Sequence, residues 1–344
     1  MRFAYYLATL PGILCCVLVA MVPAQAQSTW HLEKTLQVGG AGGMDYITVD
    51  SATRRLYVPR STHTMVIDAV TGKTLGDIPG QKIAHGVALV PRLNRGFITD
   101  GGGAGSVTVF DLKTNAVLGV IAAVPDADGI IYDPGSDRIL VSAGDSNCLI
   151  TIKPDIDPKT GKIEPPIQLG GAPEFLAADG AGKAYVNLED KDSVAVVDLK
   201  ARKVTAHWPV APGGRPVGLA LDRDHHALII GCRKPQKMIV MSTEDGKVLS
   251  DLPIGAGVDA TRTQGTEAFA SCGDGTLAVV TRSSTGTYDL TQTVTTARGA
   301  KTMDIDTKTH TIYQPTADFE DPKPGATGRP VPKPGTFKIL VVTR

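Results

Sequence analysis

The run Met44-Asp45-Tyr46-Ile47-Thr48-Val49-Asp50 is followed by Arg55-Leu56-Tyr57-Val58, by Thr64-Met65-Val66-Ile67-Asp68, and by Thr71-Gly72-Lys73-Thr74-Leu75. Apolar and polar residues alternate within each run and turn residues separate them, which is the pattern of short, half-buried strands. The pattern returns downstream. Glu174-Phe175-Leu176-Ala177-Ala178-Asp179 leads to Lys183-Ala184-Tyr185-Val186, then to Ser193-Val194-Ala195-Val196-Val197-Asp198 and Val204-Thr205-Ala206-His207-Trp208. A common point near the end of the first strand of each unit falls at Asp50, Val90, Asp133, Asp179, Asp222, Gln264 and Asp306, in steps of 40, 43, 46, 43, 42 and 42 residues. Units of four strands at that period, with no helical periodicity between them, predict an all-β, seven-bladed β-propeller.

The ends of the chain extend this expectation. The last unit has strands at 302–305, 311–313 and 337–342 and then stops, one strand short. An unassigned alternating run, His31-Leu32-Glu33-Lys34-Thr35-Leu36-Gln37-Val38, lies at the other end. Placed as the outer strand of the last blade, it joins first and last units and covers an edge that would otherwise be exposed. The prediction is one closed domain over 27–344.

Residues 1–26 read differently. One basic residue, Arg2, precedes an apolar run that ends in Ala24-Gln25-Ala26, the pattern of a secretory signal peptide. Leu14 and Cys15 precede Cys16 where a lipoprotein signal needs a small residue, which argues against lipid anchoring. Cleavage after Ala26 gives a periplasmic or secreted protein with no membrane segment. It removes one base and no acid, so the net charge moves from zero to −1. Cys148, Cys232 and Cys272 remain, an odd number without a Cys-x-x-Cys pair, which excludes a disulfide framework, a haem attachment site and a cysteine zinc site. Free buried thiols, or one bridge, are the readings left.

Composition narrows the function classes. The 344 residues hold 35 Lys+Arg against 35 Asp+Glu and only 5% aromatics, which disfavours nucleic-acid binding through a basic stripe or stacking platform. The expected state is a monomer.

The repeats resemble the YVTN-repeat (YncE-like) seven-bladed propellers. The resemblance rests on Arg55-Leu56-Tyr57-Val58, on Lys183-Ala184-Tyr185-Val186-Asn187, on recurring Val-x-Asp and Thr-Gly-Lys pairs, and on Pro173-Glu174 and Pro216-Val217-Gly218 ahead of the inner strands. It spans nearly all of 30–344, although no copy carries a complete Tyr-Val-Thr-Asn string. It implies a secreted or periplasmic protein that acts as a binding or scaffold module, and some similar propellers are lactonases. WD repeats are excluded because Trp30 and Trp208 are followed by His31 and Pro209.

A propeller gathers its inner strands round a channel, so the repeat register shows what each blade contributes to the mouth. Five positions before the common point stand Asp45, His85, Asp128, Glu174, Val217, Asp259 and Lys301. Six of these seven are charged or imidazole-bearing. They predict a ligand-binding ring, joined from neighbouring loops by Arg60 and Arg233. Glu174, Asp259, Asp128 and His85 form the expected metal set, with oxygen-rich ligands that suit calcium, magnesium or manganese, or zinc through His85. Crowded carboxylates raise one another's pKa values. Their removal is therefore expected to leave stability nearly intact. The Pro- and charge-rich insert 318–336 belongs beside this mouth as a lid or docking loop.

Other signals read as ordinary turns. His225-His226 follows Asp222 between two strands. Asp155-Ile156-Asp157-Pro158-Lys159 lacks the ligand spacing of a calcium loop, and Gly101-Gly102-Gly103-Ala104-Gly105 precedes no helix. Ser61, Ser142 and Ser271 are expected on loops, outside any Gly-x-Ser-x-Gly motif. Two functions follow. The first is a ligand- or protein-binding scaffold at the channel mouth. The second is a lactonase-like, metal-assisted hydrolase using the carboxylates and His85.

Overall fold

A computed structural model describes residues 1–4, 29–321 and 330–344. The signal-peptide prediction falls on 1–26, nearly all of it outside the described residues. The described chain is all-β. Its strands form six hydrogen-bonded antiparallel sheets, five of four strands and one of seven. No described helix is long and apolar enough to cross a membrane.

The seven-stranded sheet differs from the expectation of separate four-stranded units, and one strand explains it. Thr74–Val90 is 17 residues long. Its first part pairs with Ser61–Asp68, and its second part pairs with Arg95–Asp100. Gly80, at φ +101°, lets the backbone pass from one ladder to the next without breaking the strand. The other units are joined by loops.

The common points of the repeat mark strand ends. Inner strands finish at Asp50, Val90, Asp133, Asp222, Gln264 and Asp306, and Asp179 is one residue past Pro173–Ala178. Several of these aspartates turn back to accept N–H groups of the following turn: Asp50 from Ala52, Asp133 from Ser136, Asp179 from Ala181 and Asp306 from Lys308. The recurrent Asp is thus a turn-forming residue. His225 belongs to the same class, its Nδ1 bonded to Asp222 at 2.7 Å.

His31–Gln37 pairs antiparallel with Lys338–Thr343, so the first and last strands share a sheet. Trp30 anchors that strand. Its ring meets Phe269 edge-on at 5.0 Å, its indole N–H donates to Glu267, and its backbone is clasped by Gln292.

The core lies between neighbouring sheets. Leu56, Val58, Met65 and Ile67 of the first sheet pack on Tyr313, Phe337, Ile339 and Val341 of the last. Ile312 and Val342 pack in turn on Phe269, Leu277 and Val279. Cys148, Cys232 and Cys272 are free thiols in these layers, and burial pushes their pKa values up to about 11, 12 and 12.

Candidate functional site at the channel mouth

Strict alternation would point every second side chain of an inner strand into the layers between sheets. The sheets avoid this where the predicted ring residues stand. The ladder register shifts between Ala84 and Val87, between Pro173 and Leu176, between Pro216 and Leu219, and between Val258 and Ala260. In the third unit it shifts between Ile130 and Ala127. His85, Asp128, Glu174, Val217 and Asp259 all lie within these bulges. A bulge takes a residue out of the ladder and re-aims its side chain.

The backbone groups freed there are satisfied by buried polar residues of the second strand in each sheet. Thr99 donates to the Asp128 carbonyl at 2.6 Å, and Ser142 to that of Gly129. Asn187 donates to Val217 and Gly218, and Ser271 to Ala300. Ser61, Ser142 and Ser271 are strand residues rather than the loop residues expected; Ser142 answers a bulge carbonyl and Ser271 the carbonyl of Ala300, each of which would otherwise be buried unpaired.

The re-aimed side chains meet. His85 Nδ1 lies 2.8 Å from Asp45 and 3.4 Å from Asp128. Glu174 shares a hydrogen bond with Glu189. Glu189 accepts from Arg215 at 2.6 Å and from Arg233 at 3.4 Å. Arg233 also binds Asp259, and Lys301 binds the other oxygen of the same carboxylate. The charges run Asp45, His85, Asp128, Glu174, Glu189, Arg233, Asp259 and Lys301. Lys301 in turn feels Asp45. Val217 offers no charge in this circuit, and Arg233, from the adjacent strand Ala227–Arg233, occupies that sector.

The electrostatics follow from burial and crowding. Burial pushes the Glu174 carboxyl up to about 9, helped by the Asp128 charge and the proton shared with Glu189. Burial also raises Asp128, against the opposing pull of His85, to about 7. Burial alone would lower His85. The Asp45 hydrogen bond and the charges of Asp128, Asp45 and Asp126 overcome it and hold the imidazole at about 9. At neutral pH the arc from His85 to Glu174 thus carries an imidazolium and a neutral acid.

Two predicted assignments need correction. Arg60 is 1% exposed and is not part of the ring. Its Nε donates to the Gly43 carbonyl at 2.7 Å and its Nη2 to that of Gly42, and the guanidinium lies 3.7 Å over the Phe337 ring. It holds the 39–43 loop against the last sheet. The expected metal set also changes. Among the described residues, the group with ligand atoms within 4.8 Å of one another is Asp45, His85 and Asp128. Asp259 already answers two cations. His85 directs its protonated Nδ1 at both carboxylates, so a divalent cation could enter this group only by displacing that proton.

Glu189 lies on a short turn after Lys183–Leu188, in one of the loops that the repeat register sets beside the mouth with Arg60 and Arg233. Two other residues escaped the sequence reading. Asp126 lies two residues before Asp128 with φ +59°. Tyr46, next to Asp45, is buried, and its ring meets that of Phe175 from a different sheet at 4.9 Å. Its phenol is raised well above the usual range by burial and by Asp259, Asp128, Glu174 and Asp45.

A cavity of about 660 Å³ opens over the ring, lined by Asp45, His85, Arg233 and Lys301 and walled on the insert side by Phe319 and Pro332. Phe319 and Pro332 bridge the base of the insert. Gly299 leaves room for the Phe319 ring, since a Cβ there would lie 2.3 Å from it.

No protein-family model matches the chain. No curated protein matches it in sequence. Among solved structures it is similar to one titled Kuenenia stuttgartiensis hydrazine synthase, at 14% identity and a TM-score of 0.49, over 70% of this chain and 96% of that one.

Proposed function

We propose that the chain is an exported, seven-bladed propeller of the YVTN-repeat type that binds a small anionic molecule at its channel mouth. The blade count rests on seven inner-strand ends at a regular period and on Thr74–Val90 serving two blades as outer and then inner strand. The ring reading rests on contacts between first and last inner strands. Asp304 accepts the Val49 N–H at 2.8 Å, and Thr302 donates to the Asp45 carbonyl at 3.1 Å.

The observation that carries the function is one cation on the cavity wall that no carboxylate answers. Arg233 and Lys301 are held by Asp259, and protonated His85 by Asp45. Asp274 is occupied by the N–H groups of Ala256 and Thr276. Arg298 lines the same cavity and makes no ion pair among the described residues. A carboxylate or sugar acid matches that unanswered guanidinium. The test is a thermal-shift series of mono- and dicarboxylates and sugar acids against the parent and Arg298→Met. At least one compound should raise the parent's melting temperature and leave the variant's unchanged. Uniform indifference of the parent would reject the reading.

A second reading draws on one observation, the split between Glu174 at about 9 and Asp128 at about 7. Such a pair can supply a proton donor and a base at neutral pH, as hydrolysis of a lactone requires. Asp128 would take a proton from water and Glu174 would protonate the leaving oxygen. Hydrolysis of a lactone panel followed by pH-stat decides it, because rates equal to buffer for every member exclude turnover.

A further inference from the structure

The inner strands line a second cavity that begins one to three residues beyond the ring position on each of them. Asp45 and His85 face the mouth, whereas Tyr46 and Gly86 begin the lining of a well of about 500 Å³. Tyr46 and Phe175, in contact with each other, form the floor that separates it from the charged ring. Its wall is different in kind. Val49, Leu89, Ile131 and Leu221 are half-buried aliphatic residues that pack on the core between sheets and present their remaining surface to the well.

Three charged residues line this well: Arg223, Arg262 and Asp304. Arg262 and Asp304 neutralise each other at 2.8 Å, and the Arg262 guanidinium lies 5.3 Å from the Phe175 ring centre. Arg223 stands apart. It donates to the backbone carbonyls of Ala178 and Asp179, and among the described residues no carboxylate lies within ion-pair distance of it. An exposed arginine held by two carbonyls at the edge of an apolar well is oriented but not neutralised.

The geometry points to a second binding site here, for an aromatic monocarboxylate, its ring against the Tyr46–Phe175 floor and the aliphatic wall, its carboxylate on Arg223. The volume suits a single small ligand. A guanidinium recognises a planar carboxylate through paired N–H groups, and the Tyr46–Phe175 pair with the aliphatic residues beside it offers a ring the apolar contact that a sugar would not use. The site is independent of the mouth, which offers charge on all sides.

The test uses 2-naphthoate as probe and 2-naphthamide as its neutral counterpart, titrated calorimetrically into the full mature chain. One naphthoate should bind per chain, about tenfold more tightly than the amide. Arg223→Met should erase that difference, and Leu221→Trp, which adds bulk to open space, should abolish binding of both. Absence of saturable naphthoate binding to the parent would overturn the proposal. Unchanged naphthoate affinity in Arg223→Met would overturn it as well, since the probe would then sit elsewhere.

Discussion

Arg233 and Lys301 hold opposite oxygens of the Asp259 carboxylate, Nη2 on Oδ1 and Nζ on Oδ2. The three residues come from separate stretches of the chain, and Asp259 is only 3% exposed. The carboxylate is what allows two cations to approach each other at this site. Both are held in the charged state against burial, with Asp259 as the leading opposing influence.

That relationship reverses the expectation that Asp259 can be removed at no cost. Asp259→Ala leaves two partly exposed like charges facing each other and, discounted for the water that reaches them, should destabilise the protein by about 1–2 kcal/mol. Chemical denaturation at neutral pH measures this. A loss of under about 0.5 kcal/mol, the range of ordinary surface substitutions, would show that water screens the pair.

Glu174 should behave in the opposite way. Its folded pKa of about 9 lies above the ordinary carboxylate value, so its contribution is fully present below about 4.5 and is lost as pH rises through 9. His85, also held at about 9, has the same sign over pH 6.5 to 9. The parent should therefore lose stability between pH 6.5 and 9. Glu174→Gln should flatten the Glu174 part of that slope, by about 1.4 kcal/mol for each unit separating folded and unfolded pKa values. Parallel stability–pH curves for parent and variant would contradict the raised pKa.

How much of this was legible beforehand follows from what each feature depends on. The strand ends depend on local alternation and on turn-forming aspartates, so Asp133 and Asp222 could be placed from spacing alone. Asp45, His85, Asp128, Glu174, Asp259 and Lys301 could be aligned because the repeat places them at one register. The bulges that aim them could not be read, because alternation assumes a continuous ladder and the answering groups, such as Thr99 and Asn187, sit on another strand. Arg60 misled for a related reason. A charged residue on a loop suggests solvent, and only the glycines at 39–43, with their exposed carbonyls, explain why its guanidinium turns inward.

The terminal strand gives a prediction about the whole domain. Deleting residues 30–38 uncovers the edge of Lys338–Thr343 and removes Trp30 from its contact with Phe269. Loss of a large buried aromatic alone costs about 3–5 kcal/mol, a sizeable part of a typical stability of about 5–15. A thermal melt of the truncated chain should fall well below that of the parent. An unchanged melt would mean that the strand is a dispensable arm.

Export is checked on the protein recovered from its own cell. We expect an N-terminus near Gln27, which Edman or mass-spectrometric sequencing would show. A chain that retains Met1 in the cytosol would reject the signal-peptide reading.

Arg60 separates a structural from a ligand-binding role. Its donors serve the carbonyls of Gly39, Gly42 and Gly43, and its plane covers Phe337. Gly42 has φ +96°, and a Cβ there would come within 2.4 Å of the Arg60 carbonyl oxygen, so the loop has little room to rearrange around a lost partner. Arg60→Met keeps much of the side-chain volume but leaves those carbonyls without their donor, at about 1–3 kcal/mol for each one that water cannot reach. Arg60→Lys should recover little, because an ammonium cannot span three carbonyls with a planar fork. The expected pattern is a clear fall in melting temperature for both variants, with affinity for any mouth ligand preserved at temperatures where they remain folded. Lost affinity at unchanged stability would return Arg60 to the ligand site.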